Sequence, residues 1–143
     1  MNIEILNWDS DFFNLKVGKV NIPEGEAIDV ERFKEIAVAK KFDLIYVFKF
    51  QKMLPREIIL KAELELVDIQ LTMSKKYDKA DILNIPYEFR TELNEKEKNE
   101  CYNIAEQISV VSRFYKEPLI GPEKTKALYR KWIDNTLNSS FAD

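Results

Sequence analysis

The sequence predicts an α+β fold, a mixture of helices and a small, mainly antiparallel sheet with the helices packed on it. Three patterns support this. Residues 67–73 alternate strictly between apolar and polar, which is typical of a half-buried strand. Residues 44–48 form an unbroken apolar run, as in a strand covered on both faces. Apolar residues at helical spacing after Asn94 and after Pro122 indicate two longer helices.

The first strands lie near the start of the chain. Apolar and polar residues alternate over 3–5 and predict a short strand, and a period of two continues over 13–17. The alternation changes phase at Gly18 and resumes over 20–22. A glycine at a change of phase is typical of a β-bulge, so we expect one there.

One helix is expected on each side of the apolar run over 44–48. Asp29 has the side chain of a helix N-cap, and the apolar spacing after it predicts a helix over 30–41. Pro55 suits the first turn of a helix, which predicts a short helix over 55–62. The unbroken apolar run over 44–48 lies between these two predicted helices and is typical of a central strand covered on both faces.

The second half of the chain is expected to be helical. Asn94 and Glu97 have the spacing of a capping box and open a predicted helix over 95–109. Pro122 opens the last helix, which runs to about 138. The charged stretch 92–100 is the best candidate for a boundary, so we predict an N-terminal α/β subdomain over 1–93 and the helical start of a second domain over 94–143.

Composition excludes several kinds of site. The 143 residues contain no histidine, which removes histidine general bases and Ser-His or Cys-His nucleophiles. The three glycines, Gly18, Gly25 and Gly121, lie too far apart for a glycine-rich phosphate loop. We expect no nucleic acid binding, because the net charge is −3. We expect no metal site, because the chain has no histidine and shows no cluster of other ligands. The single Cys101 fits a reducing compartment, and the absence of long apolar runs predicts a soluble cytoplasmic protein.

Residues 8–13, Trp-Asp-Ser-Asp-Phe-Phe, combine three aromatic rings with two carboxylates. One interpretation is that Asp9 and Asp11 bind a metal or a cationic amine. The other is a turn capped by the Asp and Ser side chains, with the aromatic rings anchoring it to the core. We favour the structural interpretation, because no further metal ligands cluster nearby.

A second candidate site surrounds Arg113, between the two predicted helices. A loop arginine beside aromatic residues suits an anionic or sugar-bearing ligand, because guanidinium pairs with phosphate and aromatic faces stack on rings. Ser112 and Tyr115 would be its polar neighbours. The alternative is that Arg113 caps the carbonyls of the preceding helix, and both interpretations stay open. We expect Tyr129 and Trp132 to belong to the core.

These segments carry a resemblance to a known family. The chain resembles the N-terminal part of the GNAT-type N-acetyltransferases, in the subgroup that contains dTDP-fucosamine acetyltransferase. The similar segments are, in order, the Trp-Asp-Ser-x-Phe-Phe start at 8–13, Ser-Arg-Phe at 112–114, Leu-Tyr-x-x-Trp-Ile at 128–133, Asn-x-Leu at 135–137 and Phe-Ala-Asp at 141–143. Asn14 is a departure, since the family pattern leads us to expect glycine there.

The resemblance implies an acyltransferase that moves acetyl from acetyl-CoA to an amino group, in this subgroup that of a nucleotide-linked amino sugar. It also implies that the acetyl-CoA loop and the general-acid tyrosine follow Asp143, so the chain alone would be inactive, with no catalytic and no cofactor-binding residues. The acceptor-side contacts would be Arg113, with Ser112 and Tyr115 beside it. Two other interpretations stay open: a non-catalytic binding module, and one half of a split acetyltransferase that joins a second chain or forms a homodimer.

Overall fold

The computed structural model describes residues 1–70, 73–74 and 92–138. The chain forms two units, Met1–Leu66 and Val67–Asp143, which are described separately. The boundary that we place between residues 93 and 94 falls inside the second unit and stays a prediction.

The first unit contains a three-stranded sheet with the strand order β1-β2-β3. Its elements are, in chain order, β1 (Glu4–Ile5), α1 (Asn7–Phe13), β2 (Val17–Ile22), α2 (Val30–Ala39), β3 (Leu44–Lys49) and α3 (Arg56–Lys61). The α+β class is confirmed, but the sheet is mixed rather than mainly antiparallel. Strand β1 pairs antiparallel with β2, whereas the longer pairing of β2 with β3 is parallel. The parallel pairing follows from α2, a crossover helix that returns the chain to the end of the sheet at which β2 began.

The predicted bulge at Gly18 is wrong. The pairing of β2 with β3 is continuous, with Gly18 opposite Ile45. The glycine is required by close packing instead, because a Cβ atom at this position would lie 2.7 Å from the Cγ2 atom of Ile3 and 2.9 Å from a ring carbon of Phe42. The glycine in the strand therefore marks the close approach of the Ile3 and Phe42 side chains. The strand itself is regular at this position.

The expected strand over 13–17 is also wrong except at Val17, because α1 runs to Phe13 and residues 14–16 form the turn that follows it. This helix ends at Asn14, whose φ of 53° is left-handed and whose N–H donates to the Ser10 carbonyl. Asparagine adopts this conformation more readily than most residues, so it replaces the expected glycine without breaking the turn. Strand β2 then begins at Val17.

The core of the first unit lies between the sheet and the helices. Asp29 caps α2 as predicted, accepting a 3.0 Å hydrogen bond from the Arg32 N–H. The buried residues that form one cluster are Ile3, Val20, Ile22, Ile28, Val30, Phe33 and Ala62. Alternate residues of β2 thus point into the core, which fixes the register of the sheet.

All the regular secondary structure described in the second unit is helical and lies within residues 95–138. It contains α4 (Glu95–Ser109), α5 (Arg113–Lys116) and α6 (Gly121–Asn138), and both α4 and α5 pack on α6. The predicted capping box is confirmed, because Asn94 and Glu97 each accept a hydrogen bond from the other's backbone N–H. No helix in the described ranges is both long and apolar enough to cross a membrane.

The strand predicted over 67–73 is wrong over 67–70, where the backbone has no regular secondary structure. Residues 71 and 72 lie outside the described residues. Val67 and Ile69 are 41% and 65% exposed, so their alternation does not place one face in a core. Alternation predicts a strand only where a neighbouring strand supplies hydrogen bonds, and within the described part of the chain none pairs with this segment.

Candidate functional site

Ser112 positions the segment that carries Arg113. Its side chain is the N-cap of α5 and accepts a 3.3 Å hydrogen bond from the Tyr115 N–H. Two of the three predicted site residues are therefore joined by the local backbone. The short helix begins here because a serine side chain satisfies an N–H that would otherwise have no partner in the first turn.

The Arg113 guanidinium lies between a carboxylate and an aromatic ring. Its Nη1 atom is 3.4 Å from Oδ2 of Asp68, and its central carbon is 4.5 Å from the centre of the Phe114 ring. The side chain of Arg113 is 29% exposed and that of Asp68 is 53% exposed. An ion pair this exposed is worth about 0–1 kcal/mol, so a more highly charged anion could replace Asp68.

Phe114 connects this site to α6. Its ring is buried and packs edge-on against Trp132, with ring centres 6.2 Å apart, and Trp132 in turn lies 4.9 Å from Tyr129. The prediction that Trp132 belongs to the core is wrong, because it is 41% exposed, while Tyr129 is half-buried. Leu128, one turn earlier, fills the interior of this unit.

An apolar groove of about 250 Å³ lies between α4 and α6. Trp132 lines it together with Cys101, Ile104, Ala105, Ile108 and Tyr129. Cys101 is half-buried among these side chains, as its position on the apolar stripe of α4 predicts. The groove offers apolar surface and little that could orient a polar ligand.

Sequence reasoning missed a polar network between the same two helices. The Tyr102 hydroxyl donates a 2.5 Å hydrogen bond to the Asp134 carboxylate, which raises the pKa of Tyr102 above its ordinary value. Arg130 pairs with Glu106 and lies over the Tyr102 ring. Tyr102 and Glu106 lie four residues apart on α4, and Arg130 and Asp134 lie four apart on α6, so the spacing places each pair on one helix face. Only the packing of α4 on α6 reveals that the two pairs meet.

Among the described residues, no three histidine, cysteine or acidic side chains cluster as they would around a metal ion. No family model, curated protein or solved structure matches the chain. The motifs and the geometry around Arg113 therefore carry the functional information in this chain.

Proposed function

We propose that this chain supplies the acceptor side of a GNAT-type N-acetyltransferase whose substrate is a nucleotide-linked amino sugar. The observation that supports this most is the contact between Phe114 and Trp132. Each residue belongs to one of the segments that resemble the family, Ser-Arg-Phe at 112–114 and Leu-Tyr-x-x-Trp-Ile at 128–133. Two motifs separated in sequence thus pack into one structural feature, as segments that serve one site would.

In this proposal Arg113 binds the phosphate or carboxylate of the acceptor. Guanidinium forms charge-assisted and often bidentate hydrogen bonds to such groups. Asp68 holds the guanidinium in place until an anion with two or more negative charges replaces it. The Phe114 ring beneath the guanidinium restricts its orientation, so the bound geometry is partly formed before the ligand arrives.

Ser112 and Tyr115 are the polar neighbours of that arginine. The Ser112 oxygen accepts a hydrogen bond from the Tyr115 N–H. The Ser112 O–H can in turn donate a hydrogen bond to a sugar hydroxyl. Tyr115 adds a half-buried phenol on the same helical turn. Both groups suit a sugar, which presents several hydroxyls within a short distance of its phosphate.

We propose that the start of α6 does not bind the pyrophosphate of acetyl-CoA. Backbone N–H groups at a glycine-containing turn before a helix usually bind such a group. Gly121 is the glycine that begins α6, but its N–H already donates a 2.8 Å hydrogen bond to the Glu117 carbonyl. We therefore assign to this chain no step that involves the cofactor, and the proposed role stays on the acceptor side.

Calorimetric titration with a dTDP-linked amino sugar tests the proposal. We expect Arg113→Ala to weaken binding about 10-fold or more, the usual cost of losing a hydrogen bond to a charged group. Arg32→Ala is the matched control, because it removes an exposed guanidinium that pairs with Glu35 on α2 of the first unit, whereas the proposed site belongs to the second. Equal affinities for the wild type and Arg113→Ala would contradict the proposal. Specific binding of acetyl-CoA to this chain would contradict the restriction to the acceptor side.

The apolar groove favours a second candidate function, half of a split acetyltransferase. Ile104 and Ile108 are 57% and 53% exposed on this groove, more than a module adapted to stand alone would leave open. A second chain that supplies the cofactor side would cover them. Sedimentation analysis at increasing protein concentration tests whether a second copy of this chain covers the groove, because a self-contained module would remain a monomer. We expect either enzyme to be cytoplasmic, since a free cysteine fits a reducing compartment.

A further inference from the structure

Helix α1 presents a pair of stacked aromatic rings on the surface of the first unit. Trp8 and Phe12 lie one helical turn apart, with ring centres separated by 5.1 Å and planes inclined by only 9°. Trp8 is 45% exposed. A large aromatic side chain with this exposure leaves part of its apolar surface open to a partner.

The other residues of this segment perform its structural roles. Ser10 donates from its hydroxyl to the Leu6 carbonyl at 2.7 Å and accepts from the Val17 N–H at 3.0 Å, joining α1 to β2. Phe13 is almost completely buried and anchors the helix. The structural interpretation of the motif is therefore correct for Ser10 and Phe13, although they stabilise a helix rather than a turn. It does not account for Trp8 or Asp11, whereas Asp9 lies in the first turn of α1, where the helix dipole favours a carboxylate.

The two carboxylates flank the aromatic pair. At 100° per residue, Asp11 lies on one side of the face formed by Trp8 and Phe12, and Asp9 lies on the other. Over the described ranges neither carboxylate takes part in an ion pair. Aromatic rings with a carboxylate on each side attract a cation both electrostatically and through the ring faces.

An open recess of about 480 Å³ adjoins this face, and Asp11 lines it together with Asn14 and Asp43. Lys16 also lines it, but its ammonium donates to the Lys40 carbonyl at 2.5 Å and lies 5.2 Å from the centre of the Phe42 ring. Asp43 accepts a 2.7 Å hydrogen bond from the Lys16 backbone N–H. The recess therefore holds two carboxylates and one ammonium that already has a partner, and it remains complementary to positive charge.

We propose that the α1 face, defined as Trp8, Asp9, Asp11 and Phe12, docks an arginine-containing basic segment of a partner protein. The guanidinium lies across the aromatic pair and is paired by the carboxylates, while the following residues of the segment enter the recess. Guanidinium suits this arrangement better than ammonium because its planar group stacks on rings and is weakly hydrated. The net charge of −3 adds a general attraction for a basic partner.

The test is fluorescence anisotropy with a labelled peptide of alternating arginine and glycine. We expect Trp8→Ala to weaken binding about 3-fold or more, and Asp9→Asn with Asp11→Asn about 3–10-fold, the effects of exposed cation–π contacts and ion pairs. Glu24→Gln with Glu26→Gln is the matched control, because it removes two exposed carboxylates of the same unit. The same peptide with citrulline in place of arginine keeps the shape but lacks the charge, and we expect it not to bind.

Several results would overturn the proposal. The first is that the peptide does not bind the wild type. The second is an equal loss of affinity in Glu24→Gln with Glu26→Gln. The third is an unchanged affinity in both Trp8→Ala and Asp9→Asn with Asp11→Asn. The last two would indicate that the peptide responds only to net charge. Neutral phosphatidylcholine vesicles provide a separate comparison. If they bind the protein and Trp8→Ala abolishes that binding, the exposed ring contacts lipid rather than a basic segment.

Discussion

The hydroxyl of Tyr102 and the carboxylate of Asp134 join α4 to α6 through a 2.5 Å hydrogen bond. This bond and the apolar groove lie between the same two helices, so α4 and α6 are held together by both polar and apolar contacts. Folding favours the protonated phenol, because only that form can donate to the carboxylate.

A pH dependence of stability follows from this bond. The pKa of Tyr102 is raised in the folded state, first by its hydrogen bond to Asp134 and then by desolvation. The contribution to stability is therefore fully present below the unfolded pKa, about 10, and is lost as the pH rises through the higher folded value. Thermal unfolding of the wild type and Tyr102→Phe between pH 8 and 11 should show a difference that shrinks towards the alkaline end. A difference that grows with pH would contradict the assignment.

Leu128 should be among the most sensitive positions of the second unit. It is fully buried on α6, so Leu128→Ala leaves a cavity and should lower the free energy of unfolding by about 2–5 kcal/mol. Leu119→Ala is the matched control in the same unit, since Leu119 is about half exposed, and it should cost much less. Urea denaturation followed by circular dichroism measures both, and equal losses would mean that Leu128 is not buried as described.

Gly18 should not tolerate a methyl group. Gly18→Ala brings a Cβ atom to within 2.7 Å of Ile3 and 2.9 Å of Phe42, and such overpacking costs about 1–3 kcal/mol. At Gly25 no atom lies within 4 Å and φ is 78°, so Gly25→Asn, which tolerates that conformation, should have a small effect. Urea denaturation compares the two variants. If Gly18→Ala is as stable as the wild type, the close approach between the sheet and Phe42 is incorrect.

The capping box of α4 gives a fourth prediction. Asn94→Ala removes a side chain that accepts from the Glu97 N–H, which should cost about 0.5–2 kcal/mol. Asn99→Ala, an exposed position inside the same helix, should cause no loss, because alanine has the higher helix propensity. A lower melting temperature for Asn94→Ala, with an unchanged or higher one for Asn99→Ala, would support the cap. Equal changes in melting temperature for the two variants would contradict it.

The sequence predicts those elements whose signals are local. The N-cap at Asp29 and the capping box at Asn94 each depend on residues within one turn, and both helices form where expected. The strand over 67–70 and the bulge at Gly18 are wrong because both depend on what lies opposite in space. For Gly18 that is the packing of Ile3 and Phe42, which no periodicity records.

The same division between local and spatial signals holds at the candidate site. The residue types at Ser112, Arg113 and Tyr115 indicate a polar site, and the N-cap explains how the first and last of them are joined. The ion pair between Arg113 and Asp68 could not be predicted, because nothing in the sequence connects residues so far apart. It matters for function, since Asp68 competes with any anion for the guanidinium.

That competition allows the central claim to be tested most directly. Affinity for a dTDP-linked amino sugar should be measured by calorimetry for Arg113→Ala and Asp68→Asn in parallel. The account predicts opposite signs: the first variant binds more weakly because the guanidinium is lost, and the second binds more tightly because the competing carboxylate is removed. If both variants bind like the wild type, Arg113 does not contact the acceptor and the proposed function loses its main support.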